Sequence, residues 1–502
     1  MVPTGSQQQR TLILDLGDVL FHWSSRDLTV LSPQSFHSVI LSPAWAELER
    51  DHLEEAEALK IIGEQLSIDP RMISEALTQC RRTLRVDNDL IARLKKLKAE
   101  MNGQLRVYAM SNIAREDFAH LQVVLPDWSL FDGVFTSFEA GMTKFELGFF
   151  EHVLDSIGCR DPTSVIFVDD KRGQVNAARS FGMQGIVFES PGFLMRQLRN
   201  QLLDPVTRAR RYMADNAGKH VSRIEDGPEL NEFFSQFIIH WELEDASLLS
   251  LSPPDTGTAE INATIEQASK EAKIWNYFNG PPVGTTKTFP GDVDDTANAL
   301  LAFSPPASSA NPVLNCMLKN RHAQDGLVMT YFCDKRPRLD PIVIVNVIRV
   351  FYKYNRGTDV KPELDYVRRI LLNRAYIDGT DHYVSAEPFL YFLSCLVQVN
   401  TTAPEIQSLK EPIIAVLRGY VGRRGDSFAV AARVLACQKL GVWGQPDLEY
   451  LKELQECDGG WEIGWVCRFG RSHKRIGNRG VPTAWAIKAL EHEKALAHEL
   501  QP

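Results

Sequence analysis

Apolar positions along the chain change rhythm near residue 200. Before that point, three short apolar runs end on polar residues: TLILDLG (11–17), LRVYAMSN (105–112) and SVIFVDD (164–170). Runs this short, each followed by helical spacing, predict buried strands of a parallel α/β sheet. Residues 41–100, as in AWAELERDHLEEAEALKIIGEQL, predict a helical cap inserted after the first strand. It would cover the C-terminal sheet edge, where ligands bind in such folds. Residues 205–245 read as amphipathic helix, and LSPPDTGTAE (251–260) is the strongest chain break. From 261 onward strand alternation almost vanishes. Helical segments recur at 292–303, 340–355, 361–374, 386–399, 409–420, 426–439, 446–455 and 482–498. Such an array of hairpins is a toroid or a solenoid, and periodicity does not choose between them. The predicted organisation is an α/β domain over 1–205 with a cap at about 20–100, a helical connector and linker over 206–260, and an all-α domain over 261–502.

A length of 502 residues suits two or three such domains. The net charge of -9 excludes a general nucleic-acid binder, whose footprint is basic, but a local basic cluster could still hold an anionic substrate. The eight cysteines form no C-x-x-C pair and read as reduced thiols of a reducing compartment. The polar start MVPTGSQQQR, and an apolar run broken at Asp15 and Asp18, exclude a signal peptide. No apolar run approaches the roughly 18 residues of a membrane span. A cytoplasmic protein without stable membrane insertion is expected.

Polar groups at the predicted strand ends share one kind of chemistry. Asp15, Ser111 with Asn112, Lys144 in GMTKFELGFF, and Asp169 with Asp170 would gather on one edge. A carboxylate can attack phosphorus, a hydroxyl and an ammonium can hold phosphoryl oxygens, and clustered carboxylates offer hard ligands to magnesium. Singly, an Asp at a strand end is a cap or turn residue; four matches in order point to a site.

In the helical half, FPGDVDDTANAL (289–300) packs Asp292, Asp294 and Asp295 into four positions. Carboxyl groups so close, if shielded from water, cannot all ionise cheaply, and a proton retained that way makes a strong general acid. A solvated acidic N-cap is the plain reading of the tetrapeptide. A calcium loop is disfavoured, because the third Asp is adjacent rather than alternating and the run continues as helix. Aromatics abound in this half, and their faces stabilise cations. QECDGGWEIGWVCRFG (455–470) contributes Trp461 and Trp465. Residues 463–490 lack Asp and Glu but carry Arg468, Arg471, His473, Lys474, Arg475 and Arg479; with Lys287 and Lys335–Arg336 these offer candidate diphosphate contacts, of which two or three are expected to serve.

The order and spacing of Asp15, Ser111, Lys144 and Asp169–Asp170 resemble the four motifs of the haloacid dehalogenase-like (HAD) superfamily over roughly residues 10–200. That resemblance implies Asp15 as nucleophile, Ser111, Asn112 and Lys144 as phosphate contacts, and Asp15, Gly17, Asp169 and Asp170 around Mg2+. One position departs: Gly17 stands where the family carries the second Asp that protonates the leaving group and then activates water. D-x-D-D-T-A before a helix, with Q-x-x-D-G-G-W, resembles the αα-toroid of class II terpene cyclases, which implies Asp294 as proton donor tuned by Asp292 and Asp295. Including QDGLVMTYFCDKRPRLDP (324–341), nearly the whole chain resembles the fungal HAD-like drimane-type sesquiterpene cyclases, the group of drimanyl diphosphate cyclase and albicanol or drimenol synthases. The implied activity is protonation-initiated cyclisation of farnesyl diphosphate to a bicyclic drimane-type diphosphate, then dephosphorylation toward the monophosphate or alcohol. Two rivals are a HAD-type small-molecule phosphatase with a helical protein-interaction domain, and an αα-toroid glycosidase, which would need a second paired acid.

Overall fold

The computed structural model describes residues 9–251 and 258–499, and the chain divides into two compact units after Leu203. In the first, β1 (Arg10–Leu14), β2 (Leu105–Ser111), β3 (Gly133–Thr136), β4 (Val165–Asp169) and β5 (Gln184–Val187) form a parallel sheet in the order β3-β2-β1-β4-β5. β4 is buried along its whole length, as a strand covered on both faces must be. Parallel pairing brings all the C-terminal strand ends to one edge.

The cap consists of α1 (Pro33–Ile40), α2 (Pro43–Glu49), α3 (Glu55–Leu66) and α4 (Pro70–Arg82) around its own core of Phe36, Trp45, Leu48, Ile62, Ile73 and Leu77. Ser32, Ser42 and Asp69 cap the first, second and fourth of these, each followed by a proline that suits the first helical position. The cap is shorter than the expected 20–100. Helix Asn88–Glu100 turns Leu90, Leu94 and Leu97 onto the sheet, beside Leu12, Leu14 and Val107.

The second unit is built on a ring. α5 (Phe233–Leu243), α6 (Val293–Phe303), α7 (Pro341–Lys353), α8 (Glu387–Val399), α9 (Ser427–Leu440) and α10 (Gly480–Glu499) each pack on the next, and α10 packs back on α5. The array is therefore a closed toroid. Ring helices are walled in on nearly every side and largely apolar: Ile342 to Phe351 of α7 is buried without interruption, Asn346 and Arg349 included. Outer helices such as Pro205–Asp215, Lys361–Leu372, Lys410–Tyr420 and Gln445–Glu453 shield the ring. Two polar devices tie these layers. Arg433, fully buried in α9, pairs with Asp447 at 2.8 Å and Glu387 at 2.9 Å. Gln455 accepts from Arg208 at 3.0 Å and donates to the carbonyls of Pro205 and Gly459. Gly459 is required there: its φ is +96°, and a Cβ would lie 2.4 Å from the Arg208 carbonyl oxygen.

Residues 206–260, expected as connector, mostly belong to this unit. Helix Pro205–Asp215 packs on α10, and α5 is a member of the ring. β6 (Ser222–Ile224) and β7 (Glu229–Leu230) join β8 (Gly464–Arg468) and β9 (Arg475–Asn478) in an antiparallel sheet ordered β8-β9-β6-β7. These strands are short, and β8 carries an irregularity between Trp465 and Cys467 against β9, so alternation does not reveal them. Of the expected break at 251–260, residues 252–257 lie outside the described residues, and Thr258–Lys270 is helical. Among the described residues, no helix is long and apolar enough to cross a membrane.

Candidate active sites

In the first unit, Asp15 follows β1, Ser111 ends β2 and Asp169 ends β4, and all three line one cleft with Gly17, Asn112, Lys144 and Asp170. The Asn112 side-chain oxygen accepts from the Lys144 amide at 2.7 Å. This fixes the loop so that the buried Lys144 ammonium sits 2.8 Å from Asp15 and 2.6 Å from Asp169. Burial alone would lower the Lys144 pKa, but the Asp15 and Asp169 charges outweigh it and leave the ammonium raised and charged. Burial lifts Asp169 to about 6 against the pull of Lys144. Ligand oxygens of Asp15, Asp169 and Asp170 lie within 4.8 Å of one another, a hard-oxygen set that fits Mg2+. Gly17 can offer such an ion only its backbone carbonyl.

The rest of this cleft is greasy. Phe21, Trp23, Phe36, Ile40, Trp45, Leu77 and Leu84 line it, and Leu41 and Phe145, both largely exposed, are also among its walls. The cap thus sets an apolar wall beside a phosphate-type site, within a cavity of about 340 Å³.

In the second unit, Asp292 is the N-cap of α6 and accepts from the Asp294 amide at 2.8 Å. The acidic run is an N-cap after all, but a buried one. Thr296 locks it, donating to the Asp292 carbonyl at 2.6 Å and accepting from the Trp275 amide at 3.0 Å. Asp294 sits in the first helical turn on the wall of a cavity of about 820 Å³. Asn298 and Asn346 donate to its Oδ1 at 3.0 and 2.8 Å, and the Tyr383 hydroxyl donates to its Oδ2 at 2.5 Å. Arg349 holds the Asn346 oxygen at 2.6 Å, so the amide must turn its NH2 toward Asp294. The guanidinium itself lies over the Trp241 and Phe392 rings.

Burial pushes all three carboxyl groups up. Asp292 rises to about 8, with the neighbouring Asp294 charge adding to burial. Asp295 rises well above its usual range, and its Oδ1 has no partner among the described residues. Asp294 rises only to about 6, because Tyr383 and Asn346 stabilise its carboxylate. Asp294 is thus the most acidic of the three: dryness raises it, while fixed donors already stabilise its carboxylate.

Aromatic and basic side chains share this cavity. Phe234, Tyr277, Phe289, Tyr331, Tyr383 and Phe469 line it, with Lys335, Arg336, Arg338, His382, Arg468 and Arg471. Of the residues expected here, Lys335, Arg336, Arg468 and Arg471 line the cavity, and Lys287 and Lys474 do not; the last two are exposed. Arg475 is engaged with Glu225 and stacked over Trp465, and neither is among the lining residues. Trp461 is buried in the core, its indole N–H donating to the Leu451 carbonyl at 2.7 Å. The Gln–Gly–Trp element is thus a clasp rather than a cavity wall. Asn298, Asn346, Arg349 and Tyr383 were not singled out for this network. Asn298 could have been, since it falls one helical turn after Asp294.

Comparison with known proteins agrees with both halves. Residues 206–354 match the sesquiterpene cyclase astC-like C-terminal domain family. The chain is similar to drimenol cyclase drtB of Aspergillus calidoustus, with 36% identity over 481 residues, covering 96% of this chain and 88% of that protein. It is similar to sesquiterpene phosphatase astK of Aspergillus oryzae, with 36% identity over 178 residues, 35% of this chain and 88% of that one. Among solved structures, a type II terpene cyclase, MstE from Scytonema, aligns at 12% identity with a TM-score of 0.44, covering 61% of this chain and 99% of that chain. The chain belongs to the family of HAD-like drimane-type sesquiterpene cyclases, in which a HAD-like phosphatase unit is fused to a class II terpene cyclase unit.

Proposed function

We propose that the toroidal unit cyclises farnesyl diphosphate to a bicyclic drimane-type diphosphate and that the α/β unit then removes phosphate from that product. The observation that carries the reading is Asp294: a buried carboxyl with three side-chain donors, on the wall of an aromatic-lined cavity that also holds arginines. Asp294 gives its proton to the terminal double bond, two ring closures follow, and loss of a proton or capture by water ends the cascade with the diphosphate intact. Lys335, Arg336, Arg338, Arg468 and Arg471 are the groups placed to hold that diphosphate. Asp292 builds the turn and, with Asp295, disfavours ionisation of the cluster.

In the α/β unit, Asp15 attacks phosphorus while Ser111, Asn112 and Lys144 hold the phosphoryl oxygens, and the apolar cap wall receives the hydrocarbon. Mg2+, held by Asp15, Asp169, Asp170 and the Gly17 carbonyl, would neutralise phosphoryl charge. The names of the two curated relatives, a drimenol cyclase and a sesquiterpene phosphatase, support the pairing of activities. The test is product analysis from farnesyl diphosphate with magnesium. Asp294→Asn should abolish cyclic product, and Asp15→Asn should let the cyclic phosphorylated product accumulate. Bicyclic product from the Asp294 variant would refute the proton assignment.

A further inference from the structure

Gly17 leaves the phosphatase cleft without the side chain that, by the family resemblance, moves protons. The cleft contains several titratable groups, and most are engaged. Asp18 has a φ of +57°, is half exposed, and faces Lys171 at 3.9 Å. Asp117 is paired with Arg81 at 2.7 Å, and Arg81 also binds Glu55. His120 is exposed, with its Nδ1 on the Glu116 carbonyl. Glu49 differs. It is the last residue of α2, lines the cleft with Asp15, Gly17 and Lys144, and is partly buried. Its Oε1 accepts from the Trp45 indole at 3.1 Å, and its Oε2 has no hydrogen-bond partner among the described residues. Ser42 and Pro43 fix the start of this helix, so Glu49 is held on a rigid element rather than a loop.

We propose that Glu49 of the cap performs the proton transfers for which Gly17 provides no side chain; this rests on the phosphatase reading above. As an Asp15 oxygen bonds to phosphorus, the bond from phosphorus to the ester oxygen breaks, and that oxygen takes the Glu49 proton to leave as an alcohol. Water then attacks the aspartyl-phosphate, passes a proton to the Glu49 carboxylate, and releases phosphate with Asp15 regenerated. The charged groups acting on Glu49 are Lys144, Asp117 and Arg50, and burial dominates over them, lifting the carboxyl to about 7. A group of that pKa is suited to both giving and taking a proton near neutrality. A Cβ added at Gly17 would meet nothing within 4 Å, so the site has room for an aspartate side chain there.

The experiment uses the full-length protein and magnesium, with single-turnover rates on two esters. One is a saturated alkyl monophosphate, whose alkoxide must be protonated to leave; the other is 4-nitrophenyl phosphate, whose leaving group departs as a stable anion. Glu49→Gln should slow the alkyl ester by about 100-fold or more and the nitrophenyl ester by little, without lowering the melting temperature, because an amide oxygen still accepts from Trp45 and no buried charge is formed. Adding Gly17→Asp to that variant should restore the alkyl ester. Equal losses on both esters, or no loss on either, would overturn the proposal. Activity retained by Asp15→Asn on both esters would instead sink the phosphatase reading itself.

Discussion

Tyr383→Phe removes one oxygen atom and so isolates a single hydrogen bond, the one donated to Asp294 Oδ2 at 2.5 Å. A hydrogen bond to a charged group contributes about 1.5–3 kcal/mol. At about 1.36 kcal/mol per pKa unit, losing it would raise the Asp294 carboxyl, now at about 6, by roughly one to two units. Two consequences oppose each other. The acid becomes weaker, so proton transfer to the alkene slows by up to about 10- to 160-fold. More of the enzyme is also protonated. Near pH 5, where about nine-tenths of the parent enzyme already carries the proton, the loss is seen in full. Near pH 8, where only about one hundredth carries it, the gain in protonated fraction offsets most of the loss. The assay is the initial rate of cyclic product from farnesyl diphosphate, with phosphatase treatment of the product, across that range. The variant should show a lower acid plateau and an alkaline limb displaced upward by one to two units. A loss of the same size at both ends of the range would mean that Tyr383 only shapes the cavity. No loss at either end would refute the role assigned to Asp294.

Arg433→Met should destabilise the toroidal unit by about 3–5 kcal/mol, because it strands the buried Asp447 and the Glu387 carboxylate; calorimetry should show its transition falling by about 6 °C or more. Asp294→Asn should be inactive yet more stable. A carboxyl raised from 3.8 to about 6 contributes its full share of stability below about pH 4 and loses it as the pH rises through 6, so the amide should gain up to about 3 kcal/mol at neutral pH and nothing near pH 4, as measured by denaturant melts at both. Gly459→Ala should loosen the Gln455 clasp and lower the same transition, since its Cβ would strike the Arg208 carbonyl.

Most of the architecture was legible where one physical requirement dominated. A strand buried on both faces must be a short apolar run, and β4 reads as one. A ring helix walled in on most sides is largely apolar, and α7 and α8 read as such runs. Helix Ala307–Lys319 did not, because Pro312 interrupts its pattern while the tertiary packing tolerates it. Ring closure was illegible because it depends on α10 meeting α5, far apart in sequence. At the sites, Asp15 and Asp292 stand at element boundaries where motif and position coincide. Asn346, Arg349 and Tyr383 lie inside or before other helices and acquire meaning only when the ring brings them to Asp294. The basic run misled for a related reason. Its residues share a hairpin, and a hairpin divides them: Arg468 and Arg471 face inward, while Arg475 is turned to Glu225.

Closure of the ring also has a consequence for biosynthesis. The helix that completes it, α10, follows α5 by more than two hundred residues, and α5 must wait for it while they are made. The sheet unit, finished by Leu203, has no such wait and can fold as it emerges. During translation the half-built toroid therefore exposes the apolar flanks of α7 and α8, and chaperone demand should concentrate on that interval. A chain cut before Gly480 would remain in that condition permanently.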